Sequence, residues 1–188
     1  MIIISPCDRI FLLLVVTAIL SLGAAHKATA QGAPIFSEVR FGVLAADLEP
    51  GGGSDDGVAL SVELLTPNHA RSYSFVENLL NPRFHVGGNF HTDDGVNQAY
   101  AGLTWNYYLT DSVFVESSFG GALHDGETSG FSSNSYGCPV NFRESFSIGA
   151  DITESISVMA SVDHMSNAGL CDQNQGLTNA GVRIGYRW

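Results

Sequence analysis

Apolar and polar residues alternate along most of the chain after residue 30, and this period of two indicates β-strands with two different faces. Eight segments follow the pattern, whereas no segment shows a convincing helical period. One parity of each segment is polar, charged or glycine, and the pattern therefore predicts an all-β fold of eight antiparallel strands. The other parity is mainly apolar and comprises Val39, Phe41, Val43; Val58, Leu60, Val62, Leu64; Phe84, Val86, Gly88, Phe90; Ala99, Ala101, Leu103, Trp105, Tyr107, Leu109; Val113, Val115, Ser117, Phe119; Val140, Phe142, Phe146, Ile148; Ile156, Val158, Ala160, Val162; and Ala180, Val182, Ile184, Tyr186, Trp188.

The connections between the predicted strands alternate in length. Tight turns are predicted at Asp111 and at Thr153 and Glu154, and one long connection, 67–82, falls at the same end as these turns. Longer loops are predicted near residues 51–56, 93–97, 124–137 and 167–176. An even strand number, with short turns at one end and long loops at the other, is typical of transmembrane β-barrels of the outer membrane. The mixed charges on the polar parity and the aromatic residues near strand ends favour this barrel over the alternative, a soluble β-sandwich.

The first thirty residues do not follow the strand pattern. Arg9 precedes an apolar run over residues 10–25, and Ala28-Thr29-Ala30 supplies the small residues of a cleavage site. Sixteen apolar residues are few for a membrane-spanning helix, so the segment is predicted to be a cleaved signal peptide rather than an uncleaved anchor. We therefore expect a signal peptide over 1–30 and an outer-membrane β-barrel over 31–188.

Composition narrows the choice of partners. The formal net charge of −11 argues against nucleic acid, because a phosphate-binding surface needs a basic patch. Neither a cofactor motif nor a spacing of metal ligands is found, so no cofactor is predicted. The two cysteines after the signal peptide, Cys138 and Cys171, are a candidate disulfide in an oxidising exported compartment.

The apolar parity is interrupted by only two ionisable side chains other than tyrosine, Glu144 and His164. A charge that faces lipid costs roughly 2–4 kcal/mol near the middle of a bilayer, so such residues are functional candidates. Ser166 follows His164 by two positions on the same face, where an imidazole can act as base toward a hydroxyl. The tight turn at 153–154 pairs the two strands so that facing residue numbers sum to roughly 306–308, which places Glu144 opposite Val162 to His164. The alternatives are an interfacial histidine without catalytic role and a bulge that turns Glu144 into the lumen.

The segment from His164 to Leu177 reads HMSNAGLCDQNQGL. It resembles the His-x-Ser-Asn signature of PagL-type lipid A 3-O-deacylases, which are outer-membrane acyloxyacyl hydrolases. The resemblance implies a serine esterase that removes an ester-linked acyl chain from lipid A, the lipopolysaccharide anchor in the outer leaflet. It also implies that Ser166 is the nucleophile and His164 the general base, while Asn167 and the backbone N–H groups around Ala168 and Gly169 stabilise the oxyanion.

One position departs from the family pattern. The acid of the family is a glutamate at the start of the last strand, and the matching residue here is Thr178. The hypothesis is that Glu144 replaces it from the neighbouring strand; Asp172, or no acid at all, are the alternatives. Two other functions stay open. One is a non-catalytic barrel with a structural or adhesive role, and the other is a narrow pore or ligand carrier, which the filled interior of an eight-stranded barrel disfavours. Whether the protein forms a homodimer is also open.

Overall fold

The computed structural model describes residues 34–48, 57–67, 74–129 and 135–188. The predicted signal peptide over 1–30 and the first predicted loop, 51–56, lie outside the described residues, so both stay predictions.

The described chain forms a closed barrel in which every strand pairs antiparallel with its neighbours and the last strand pairs with the first. Closure gives each strand a partner on both sides, which is the condition for strands to cross lipid. The predicted fold of eight antiparallel strands is confirmed. The strands are β1 (Glu38–Ala46), β2 (Gly57–Leu65), β3 (Arg83–His91), β4 (Gln98–Tyr108), β5 (Val113–His124), β6 (Val140–Asp151), β7 (Ile156–Ser166) and β8 (Leu177–Arg187).

The two parities of the strands lie on opposite faces of the barrel wall, as predicted. Along β1, Val43 is 58% exposed on the outside, whereas Arg40 is 2% exposed in the lumen. Large apolar side chains cover the outside of the other strands in the same way, including Phe119 and Phe146. A wall with an apolar outside and a charged inside is suited to lipid.

Ion pairs fill the middle of the lumen. The Arg40 guanidinium donates to both carboxylate oxygens of Glu116, at 2.6 and 2.7 Å. It also donates to Glu38 at 2.6 Å and to Glu63 at 3.2 Å, and all four side chains are buried. Mutual pairing and hydrogen bonding offset the cost of burying these charges.

A second lumenal cluster surrounds Asp163, nearer the long loops. Its carboxylate accepts hydrogen bonds from Arg183 at 3.1 Å, Asn179 at 3.0 Å and Asn89 at 3.3 Å, and Arg143 lies 3.3 Å away. Side chains therefore fill the interior that the strands enclose, which argues against the pore.

Apolar clusters lie at both ends of the lumen, so the prediction that the inward parity is polar, charged or glycine throughout was wrong there. Many of these apolar side chains lie at strand ends beside loops and turns, where they pack against one another and exclude water. At the loop end the Arg143 guanidinium stacks over the Tyr100 ring at 3.7 Å. The cluster at the turn end contains Tyr108, Phe114 and Met159. Two clusters lie at the loop end, one with Val96, Tyr100, Ala122, Tyr136, Met165 and Leu177 and one with Leu44, Ala46 and Ala59.

A short helix, α1 (Phe75–Leu80), lies in the long connection at the turn end, where no helix was predicted. Ser74 caps it by accepting a hydrogen bond from the Glu77 backbone at 3.4 Å. Six residues are too few to show a helical period in the sequence. Trp105 of β4 donates to the Leu79 carbonyl at 3.1 Å and so fixes the helix to the barrel. In the described part of the chain, no helix has the length and apolar character needed to cross a membrane.

Candidate active site

The register between β6 and β7 brings the two ionisable residues of the outer face together. The tight turn over residues 152–155 joins the strands, and Glu144 pairs directly with His164. The predicted register is therefore confirmed at this pair, and the pairing continues without a bulge. Glu144 is exposed on the outer wall, so the alternative of a lumenal Glu144 is excluded.

His164 and Ser166 lie at the long-loop end of β7 and are both half-buried on the outer face. Two residues of a strand span roughly 6.5 Å, so their side chains are neighbours on one face. Ser166 is the last residue of β7, and its partner across β6 is Phe142. An imidazole and a hydroxyl thus meet lipid at the end of the barrel that carries the long loops.

Thr178 of β8 contacts the His164 imidazole on the side opposite to β6. It pairs with His164 across β7 and β8, and its Oγ1 lies 2.8 Å from His164 Nδ1. The ring is therefore flanked by Glu144 on one neighbouring strand and bonded to Thr178 on the other. Asp172 is exposed in the loop after β7. The partner of His164 Nδ1 is Thr178 and not Asp172.

Asn167 anchors the loop that follows Ser166. Its buried side chain donates to the carbonyl oxygens of Tyr136, at 2.9 Å, and Gln173, at 2.5 Å. Its backbone N–H donates to the Asn174 side chain at 2.8 Å. The Asn167 side-chain amide, which was expected to face an oxyanion, therefore donates both of its hydrogens to loop carbonyl groups.

The next two residues form a tight turn. Ala168 and Gly169 have φ angles of 54° and 76°, and the Leu170 N–H donates to the Asn167 carbonyl at 3.1 Å. A left-handed conformation costs a residue with a β-carbon about 1–2 kcal/mol, so the surrounding contacts hold Ala168 in a strained state. The Gly169 N–H donates to Asn167 Oδ1 at 2.8 Å. The Ala168 N–H, in contrast, has no hydrogen-bond partner in the described part of the chain.

A disulfide between Cys138 and Cys171 joins the loop before β6 to the loop after β7, with the Cα atoms 5.8 Å apart. The Gln175 N–H also donates to the Ser135 carbonyl across the same two loops at 3.1 Å. The disulfide follows Asn167 by four residues, so it restrains the turn beside Ser166. Among the described residues, no group of three or more His, Cys, Asp or Glu side chains could hold a metal ion.

A groove on the outer wall opens beside Ser166. It has a volume of about 390 Å³ and is lined by residues of β5 and β6, by Cys138 before β6, and by Asn167 and Leu170 of the loop after β7. The groove was not predicted, because a glycine at an outward strand position, such as Gly121, does not by itself indicate a gap in the barrel surface. The other feature missed in the sequence is the bonding of Asn167, which depends on carbonyl groups of loops that fold back over the barrel.

Fold and site together define a class: an outer-membrane β-barrel with histidine and serine side by side on its lipid-facing wall. The family model described as lipid A 3-O-deacylase (PagL) matches residues 72–187, and the chain belongs to this family. Its location is the outer membrane.

Solved structures support the fold. The crystal structure of the outer membrane enzyme PagL superposes with a TM-score of 0.63 at 18% identity, covering 81% of this chain and all of that one. Neisserial surface protein A superposes with a TM-score of 0.59 at 11% identity, covering 84% of this chain and all of that one. Identities this low are evidence for the fold alone. No curated protein matches the sequence significantly.

Proposed function

We propose that this protein is a serine esterase that removes an ester-linked acyl chain from lipid A in the outer leaflet. The observation that carries the proposal is the outward placement of His164 and Ser166 at the loop end of β7, with Nδ1 of the ring bonded 2.8 Å from Thr178. At that place the ester of a lipid in the leaflet can reach the hydroxyl without leaving the bilayer. Membership of the family adds the substrate class.

In the proposed reaction, Thr178 Oγ1 accepts the hydrogen of His164 Nδ1, which leaves the lone pair of Nε2 to act as base. Ser166 Oγ attacks the ester carbonyl and its proton passes to Nε2. The tetrahedral intermediate collapses, the sugar oxygen leaves with that proton, and the acyl group stays on Ser166. Water then attacks the acyl-serine with the same base, which releases a fatty acid and restores the hydroxyl.

The oxyanion would be stabilised by the turn after Ser166. Asn167 donates to the loop carbonyl groups and accepts a hydrogen bond from the Gly169 N–H, so in this geometry both residues hold the turn in place. The Ala168 N–H remains to donate to the developing charge, and fixed donors of this kind lower the barrier because they need no reorganisation. The strain at Ala168 is consistent with a backbone group held for this purpose.

Glu144 would support the imidazolium electrostatically from β6, since it faces His164 without being its Nδ1 partner. We expect Glu144→Gln to lower kcat about tenfold, because an exposed carboxylate on the next strand acts through space and is partly screened. Asp172→Asn is the matched control and should leave kcat unchanged. Restoring the family acid with Thr178→Glu should raise kcat. Hydrolysis rates of the purified barrel measure all three, and equal rates for Glu144→Gln and the natural protein would remove Glu144 from the mechanism.

The test of the function uses the purified barrel in bilayers that contain lipid A. Mass spectrometry of the lipid is expected to show the loss of one acyl group with the natural protein and no loss with Ser166→Ala. Loss of the acyl group with both proteins would contradict Ser166 as nucleophile. Intact lipid A with both folded proteins would favour the non-catalytic barrel.

A further inference from the structure

The nucleophile shares one row of outward positions with two residues of the neighbouring strands. Ser166 pairs with Phe142 of β6, and Phe142 pairs with Gly121 of β5. The row therefore ends at a position without a side chain, between the outward residues Phe119 and Leu123 of β5. Gly121 and Phe142 both line the groove beside Ser166.

Apolar side chains form the walls of the groove. The rings of Phe119 and Phe142 stack at 5.9 Å between centroids, and Val140 and Leu170 add apolar side chains toward the loops. Asn167, which holds the turn after Ser166, lines the same groove. The groove is thus continuous with the proposed reaction site, and its chemistry suits a hydrocarbon chain.

The row descends from the loop end toward the middle of the barrel. Counted from the turn end of each strand, Ser166 is residue 11 of β7, Phe142 is residue 10 of β6 and Gly121 is residue 9 of β5. A chain attached at Ser166 and laid along the row would run from the interface into the hydrocarbon layer. Acyl chains of a lipid in the outer leaflet run in this direction.

The fold does not require glycine at position 121. A β-carbon there would lie 3.8 Å from the Asn141 carbonyl oxygen and 4.0 Å from Val140 Cγ1, which are ordinary contacts. The preceding Gly120 differs, because a β-carbon there would overlap the Ala101 carbonyl oxygen. A side chain at 121 would therefore be tolerated by the backbone and would enter the groove.

We propose that the groove binds the acyl chain of the ester that is cut, and that Gly121 sets the longest chain that fits. This inference rests on the proposed function. The acyl chain leaves the hydrocarbon layer of the membrane, which is already apolar, so its transfer to the groove gains little from the hydrophobic effect. Packing therefore decides which chains bind. A larger residue at 121 would exclude long chains and accept short ones.

The test compares hydrolysis of p-nitrophenyl laurate and p-nitrophenyl butyrate by Gly121→Leu, Gly121→Ala and the natural barrel. The ratio of kcat/KM for laurate to that for butyrate should fall at least about tenfold in Gly121→Leu and less in Gly121→Ala, as for a pocket that loses space for methylene groups. Ser117→Leu, which adds the same side chain to the outer face of β5 four residues away, should leave the ratio unchanged. An unchanged ratio in Gly121→Leu would overturn the inference.

A binding measurement separates this inference from the proposed function. In a Ser166→Ala background, lauric acid should slow maleimide labelling of the Gly121→Cys thiol and leave the Ser117→Cys thiol unaffected. If the natural protein hydrolyses neither ester, this protection would still support the groove while the esterase proposal fails. If lauric acid changes the labelling rates of the two thiols by the same factor, the groove does not bind the acyl chain, whatever the activity.

Discussion

Replacing His164 with glutamine is expected to lower kcat for acyl release about a thousandfold while the barrel stays folded. General base catalysis contributes on the order of 10²–10⁴ in rate, and glutamine has no group that can take the proton of Ser166. The side chain is half-buried on the lipid-facing wall and bonds to Thr178, so its replacement leaves the lumenal ion pairs untouched. The rate of fatty acid release by the purified barrel measures the effect.

The matched control for this prediction is His85→Gln. His85 is buried in the lumen, where its Nδ1 lies 2.8 Å from the Thr104 hydroxyl, so it is remote from the outer wall. We expect kcat to stay unchanged in this variant, at some loss of stability. A similar kcat in His164→Gln and the natural protein would contradict the role of His164 as base.

Replacing Arg40 with leucine is expected to lower the free energy of unfolding by about 3–5 kcal/mol, as found when one partner of a buried ion pair is removed. Arg40 is within 3.2 Å of three buried carboxylates, Glu38, Glu63 and Glu116, which would be left close together without their shared cation. Urea unfolding of the barrel refolded in detergent micelles measures the loss. Adding Glu116→Gln to this variant should recover part of it, because one uncompensated charge is removed.

Arg187→Leu is the control for this second prediction. Arg187 pairs with Asp151 at 2.7 Å at the turn end of the barrel, but its side chain is 26% exposed, so solvent screens the pair. We expect a loss on the order of 1 kcal/mol. Equal losses for the two arginine variants would contradict the view that the lumenal network is a main source of stability.

Much of this fold could be predicted from the sequence because strand faces repeat with a period of two. Once the turn at 152–155 is placed, that period sets the register, and Glu144 falls opposite His164 as expected. The same reasoning could not find α1, which is too short to show its period, or the apolar ends of the lumen, whose residues share a parity with the central charges.

The candidate site was predictable in its strand residues and less so in its loop. The outward positions of His164 and Ser166 follow from parity and the pairing of Glu144 with His164 follows from register, whereas Thr178 was identified through the resemblance to the family. The bonding of Asn167 depends on the Tyr136 carbonyl, 31 residues away in another loop, and local sequence does not specify such a contact. Gly121 is likewise ordinary in the sequence, and it becomes informative only when Phe142 and Ser166 are seen in the same row.

The most direct test of Ser166 as the nucleophile is labelling of the purified barrel with an alkyl fluorophosphonate, with and without lipid A. Such reagents form a stable adduct with an activated serine, and peptide mass spectrometry locates it. We expect an adduct on Ser166 that lipid A suppresses and that His164→Gln does not form. An unlabelled Ser166 in a barrel that still deacylates lipid A, or an adduct that lipid A does not suppress, would contradict this role of Ser166.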